Sequence, residues 1–419
     1  MTTLYSKKNL ALIPTALSLI FYAFAYISGI EEQQAQRAFQ LFKLSLHLKQ
    51  YAKAQGDIDR AISLSPKNAY YVASQGLLLM RMSRRKFDLR SFGNTINFSQ
   101  EELEQIRSAV QSYQKALQLN PLDDSYYHNL GWLYWFLQQR DQALNCFQKA
   151  ISIDGSTALY HVSLALFYEH QGKKDDAHRE YVHAVRLSPS ILDSQFFRDL
   201  RERSQGEGDR IVSESISHLE DQLRRSPDPI VKGKLGKLYL QMNLLDKASV
   251  VLKEALIELP SLSRSWSNLG TIYEIQGDEP ATRECYRRAT FLSESDAGIW
   301  LTLGNFDIRH HDNDDAIRSY TRALTSGLNI ASQHAGRVAH IYHTQIIIPD
   351  DILPNGFLSY CNPSFDISGV CLILAKLYDQ TGDIKMSNYY EGLSNRLADD
   401  RQLERPTNDN QNVGQDADW

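Results

Sequence analysis

Four cysteines in 419 residues are too few and too scattered for a disulfide framework, so the core must come from apolar side chains. Cys146 and Cys285 stand at one recurring position of the pattern described below, where a small hydrophobe packs. Cys361 and Cys371 are the one pair compatible with a bridge across a loop if the domain is exported. Proline is scarce, at 12 residues, and no long low-complexity tract interrupts the chain. Charge of one sign is lacking too: 45 basic against 50 acidic residues leave a net charge of -5. Without a basic surplus the chain is not expected to hold nucleic acid as its main partner. Phosphate loop, nucleophile elbow and zinc-protease helix are all missing, which argues against an enzyme and implies no cofactor. The His310-His311-Asp312 turn and the His340 and His343 pair lack further ligands at workable spacing, so no metal site is predicted.

What the chain does have is a phrase said twice. Leu130, Tyr134, Ala143, Phe147 and Ala150 return 34 positions later as Leu164, Tyr168, Ala177, Tyr181 and Ala184. Small residues locked in phase with large ones describe two antiparallel helices that approach closely where a side chain is nearly absent. Such a hairpin keeps an apolar edge that only the next hairpin covers, which predicts a stacked, all-α array with almost no strand.

The pattern resembles the tetratricopeptide repeat family: an aromatic, Leu-Gly, Tyr, Ala, an aromatic, Ala and Pro at fixed offsets. Residues 229–262 carry it as Leu235, Gly236, Tyr239, Ala248, Leu252, Ala255 and Pro260, and 263–296 as Trp266, Leu269, Gly270, Tyr273, Tyr286 and Ala289. In 297–330 it reads Trp300, Leu303, Gly304, Ala316, Tyr320 and Ala323, with Asp307 in place of the Tyr. Thr282 likewise replaces an Ala. The resemblance implies a right-handed superhelical solenoid. We expect array one at 35–191, with Phe42 in a glycine position and an insertion near 84–104, a degenerate linking repeat at 192–228, and array two at 229–330. A loop and a last degenerate repeat at 331–401, retaining Ala375, Tyr378 and Gly382, precede a tail at 402–419 too polar to fold.

The amino terminus carries a different signal. Asn9 to Ile30 is uncharged, preceded by Lys7 and Lys8 and followed by Glu31 and Glu32. About 21 helical residues reach about 31 Å, enough to span a bilayer. This predicts a transmembrane helix at 9–30 after a cytoplasmic tail at 1–8. The flanking charges place the repeats across the membrane, in the periplasm if the source is bacterial. A cleaved signal peptide ending near Ala23-Phe24-Ala25 and a buried first helix are the alternatives.

In this repeat family the first helix of each hairpin lines an inner groove. The resemblance therefore implies partner contacts from His128, Trp132, Trp135 and Phe136, an aromatic wall, and from the polar Lys237, Gln241, Arg264 and Asn305 of array two. Aromatics beside polar groups suit peptide segments or sugar rings; the alternative is that the aromatics are packed inside. The clamp that grips chaperone tails is absent, since His128, Trp132, Val162 and Leu166 fill its positions. Arg84, Arg85, Lys86 and Arg90 in the insertion are candidates for anionic lipid, or else form a solvated hairpin. Val185 to Arg203 resembles a segment in the repeat-bearing tails of bacterial O-antigen ligase and polymerase proteins. The expected function is a membrane-anchored, extracytoplasmic scaffold for protein partners in envelope, secretion or polysaccharide-export assembly. A carbohydrate-binding accessory and a cytosol-facing import or chaperone receptor are the alternatives.

Overall fold

A computed structural model describes residues 29–43, 45–46, 50–83, 98–327 and 367–402. These residues are α-helical throughout, apart from turns and one 3-10 segment, and form two compact units. Residues 29–83 and 98–143 make the first, and 144–327 with 367–402 the second. The division falls inside a helix, between residues 143 and 144.

In the first unit, α1 (29–43) carries Ala35, Ala38, Phe39 and Phe42 at helical spacing. They pack with Ala54, Ile58 and Ala61 of α2 (Tyr51–Leu64) and Tyr71 and Leu78 of α3 (Ala69–Ser83). An i, i+3, i+4, i+7 stripe buries one face and leaves Glu31, Glu32 and Arg37 in water. Phe42, where the repeat has glycine, is 2% exposed and lies 5.5 Å from the Phe39 ring. The 84–97 stretch lies outside the described residues. Next, α4 (Gln100–Leu119) starts from a capping box: Ser99 Oγ accepts the Glu102 N–H, and Glu102 accepts the Ser99 N–H. Glu101, Glu102 and Glu104, within the stretch near 84–104 expected as an insertion, are thus its first turns. Then follow α5 (Asp124–Phe136) and α6 (Arg140–Ile153).

The second unit continues with the hairpin α7 (Ala158–His170) and α8 (Lys174–Leu187). After a 3-10 turn at Pro189–Asp193 come α9 (Gln195–Arg203) and α10 (Gln205–Arg225). Phe196 and Phe197 are buried, and α10 packs on α8 and on the next first helix. Between Glu207 and Glu214, His178 joins α8 to α10 at 2.6 and 2.8 Å. Three regular hairpins follow: α11 (Pro229–Gln241) with α12 (Leu245–Glu258), α13 (Ser263–Gln276) with α14 (Glu279–Leu292), and α15 (Ala297–Arg309) with α16 (Asn313–Gly327). The turns inside hairpins place one residue in the left-handed region at a constant spacing: Gln138 and Gly172, then Asn243, Gly277 and His311. That reversal ends one helix and aims the next. Thr282, replacing the usual Ala, is fully buried and donates its hydroxyl to the Asp278 carbonyl at 2.7 Å. A final hairpin, α17 (Ile367–Gln380) and α18 (Ile384–Gln402), covers α16 with Val370, Leu374 and Leu377.

Among the described residues no helix is long and apolar enough to cross a membrane. The single-pass assignment, with its transmembrane helix at 9–30 and its extracytoplasmic repeats, is therefore withdrawn. Of that run only Gly29 and Ile30 fall among the described residues, exposed at the start of α1. That helix is amphipathic, with its apolar stripe turned to protein. Arg84, Arg85, Lys86, Arg90, Cys361, His340, His343 and the 402–419 tail, apart from Gln402 at the end of α18, lie outside the described residues.

Candidate functional site

The aromatic wall expected on α5 is mostly interior. His128, Trp132 and Phe136, four apart and so on one helix face, are 5%, 3% and 6% exposed, while Trp135 is half-buried. Trp132 donates its indole N–H to His128 Nε2 at 3.2 Å, and Phe98 lies 6.1 Å from Phe136. Burial pushes the His128 imidazole down to about 3, which keeps it neutral and able to accept that hydrogen bond. The ring of Trp132 therefore has no open face for a sugar to stack upon. Because α5 is apolar nearly all round, its sequence did not say which stripe is core.

Array two places its polar candidates differently. Lys237 and Gln241 lie one turn apart on α11, and both reach Asp193 at the end of the 3-10 turn. Lys237 Nζ is 3.0 Å from Asp193 Oδ2, and Gln241 Nε2 donates to Oδ1 at 3.0 Å. From the first turn of α13, Arg264 donates to Ser190 Oγ at 3.1 Å and pairs with Asp296 at 2.9 Å. The first-helix face thus brings Lys237, Gln241 and Arg264 together around Ser190 and Asp193. Asn305 is separate: exposed on α15, it accepts the Tyr320 hydroxyl at 2.5 Å. Asp193 and Ser190 escaped sequence reading because they sit outside the repeat and share no period with the side chains they meet.

A second polar cluster lies where α15 departs from the repeat pattern. Asp307, in place of Tyr, is buried and accepts the Ser319 hydroxyl at 3.1 Å. Burial raises its carboxyl pKa, opposed by the Ser319 bond and the Arg283 charge. Asp307, Asp312 and Asp315 converge closely enough for a cation, and the cation among them is a guanidinium. Arg283 lies 3.5 Å from Asp307 and 2.9 Å from Asp312. On α6 and on α14, burial raises the thiols of Cys146 and Cys285 to about 11, so both are packing groups rather than nucleophiles.

The geometry defines a class first: stacked antiparallel helix pairs with a fixed turn and a small-to-large contact inside each pair. Within that class, a tetratricopeptide repeat family model matches residues 124–157, the hairpin of α5 and α6. BBSome complex member BBS4 of Bos taurus is 26% identical over 202 residues, which is 47% of this chain and 37% of that protein. The chain thus spans little more than a third of that relative's length. A tetratricopeptide repeat protein from Parabacteroides merdae is matched over 74% of this chain and 98% of its own, at 12% identity and a TM-score of 0.31. YrrB, described as a TPR protein with an unusual peptide-binding site, is matched over 56% and 92%, at 14% identity and a TM-score of 0.25.

Proposed function

A tetratricopeptide-repeat scaffold is suited to protein–protein interaction, and we propose that this one binds a peptide segment of a partner on the first-helix face of α11, α13 and α15. The observation that carries the reading is the engagement of Lys237, Gln241 and Arg264 with the short segment Ser190–Asp193. Side chains that grip a carboxylate and a hydroxyl of the chain itself have the donors and spacing to grip those of another chain. Asn305 extends the same row toward the carboxyl end, since it stands two repeat periods beyond Lys237.

Photo-crosslinking from single positions of the full chain tests this. A photoreactive residue at Asn305, or at Ile275, exposed on α13 one repeat period beyond Gln241, should capture the partner, and one at Val250, exposed on the second helix α12, should not. Lys237→Ala with Arg264→Ala should weaken capture by about tenfold. Equal capture from Val250, or no effect of the double substitution, would sink the reading.

A further inference from the structure

The opposite side of the last regular hairpins carries a feature that a peptide-binding first-helix face does not need. On α14, Arg283 and Arg287 are four residues apart, and on α16 so are Arg318 and Arg322, so each pair shares one helix face. The four line an open cavity of about 340 Å³ together with Trp300 and Leu303 of α15. Its charges are sorted along its length. Arg283 is held by Glu279, Asp307 and Asp312 at 3.3, 3.5 and 2.9 Å, and Arg318 pairs with Asp315. One turn further along each helix, Arg287 and Arg322 meet no carboxylate within 4.0 Å among the described residues. Positive charge is thus matched at one end of the cavity and unmatched at the other.

We propose that this cavity takes an acidic side chain of a partner's peptide segment, a glutamate or aspartate whose carboxylate lies between Arg287 and Arg322. Each guanidinium is a planar fork that fits two carboxylate oxygens, and no internal ion pair has to break first. The volume stands near the lower end for ligand cavities, room for one or two side chains. Trp300 has its N–H already donated to the Glu294 carbonyl at 2.9 Å; with Leu303 it offers apolar surface to the methylenes below the carboxylate. A polyanion fits less well. Its further charges would meet Asp307 and Asp315, which line the same cavity, and the net charge of the chain opposes it.

The test is a binding titration of the full chain with a fluorescent glutamate-rich peptide, followed by anisotropy. Arg287→Gln with Arg322→Gln should weaken binding by about tenfold or more. The far-ultraviolet circular dichroism should not change, because both arginines are exposed. Arg224→Gln with Arg225→Gln, two exposed arginines at the end of α10, should leave this titration unaltered. Undiminished binding by the double glutamine variant overturns the proposal. So does a loss confined to the Lys237 and Arg264 variant, which would instead favour the first-helix face. Displacement of the peptide by inorganic phosphate, or by a single-stranded oligonucleotide of equal charge, at lower concentration than by unlabelled peptide also overturns it.

Discussion

At the scale of single residues, the buried polar groups set how the molecule answers to pH. His128 is neutral because burial disfavours its charged form, so its pKa falls from the ordinary 6.5 to about 3. The unfolded chain therefore binds a proton that the folded chain refuses between those values. Its contribution is present in full above pH 6.5 and is lost as pH falls toward 3. Between pH 7 and 5 the loss amounts to about 2 kcal/mol. Urea denaturation at the two pH values should show that drop in the native protein. His128→Gln, which keeps an acceptor for the Trp132 N–H, should flatten the dependence; an unchanged slope would mean that the imidazole is not held neutral. Asp307 has the same origin with the opposite sign. Its raised pKa means that the folded carboxyl binds its proton more tightly, so its effect on stability worsens as pH rises through the acidic range.

At the scale of helix pairs, the glycines of the repeat act by absence. An added Cβ at Gly270 would stand 2.7 Å from the Tyr286 ring and 3.1 Å from the Cys285 Cβ. Tyr286 is fully buried and its hydroxyl is tied to Glu274 at 2.8 Å, so the ring has nowhere to retreat. Gly270→Ala should cost about 1–2 kcal/mol, overpacking outweighing the better helix propensity of alanine. A lowered midpoint in chemical denaturation checks it, and a raised midpoint would refute the packing argument. The same contact recurs between Gly236 and Leu252 and between Gly304 and Tyr320, and its two halves were legible in the sequence because the period fixes both. The 3-10 turn on α11 and α13 was not legible. Its contacts join residues 44 to 74 positions apart in sequence, outside any period.

At the scale of the whole molecule, the helix pairs within each compact unit pack on their neighbours, and in such arrays stability is a sum over interfaces rather than a property of one core. The last hairpin shows this: Leu374 is fully buried in the cluster that joins α17 to Tyr320 and Leu324 of α16. Leu374→Ala should cost about 2–5 kcal/mol, and the loss should be local. Hydrogen exchange ought to quicken in α16, α17 and α18 while the amides of α2 to α4 keep their protection. Uniform quickening would point instead to one cooperative core. By itself the sequence determined the helical pairs, their turns and the small-to-large contacts inside each pair. Those follow from side-chain size and backbone freedom repeated at a fixed interval. Only the tertiary structure decided that His128, Trp132 and Phe136 face inward, that Lys237 and Arg264 hold the chain's own segment, and that two arginines were left unmatched. Burial and pairing depend on which surfaces meet, and local spacing does not contain that.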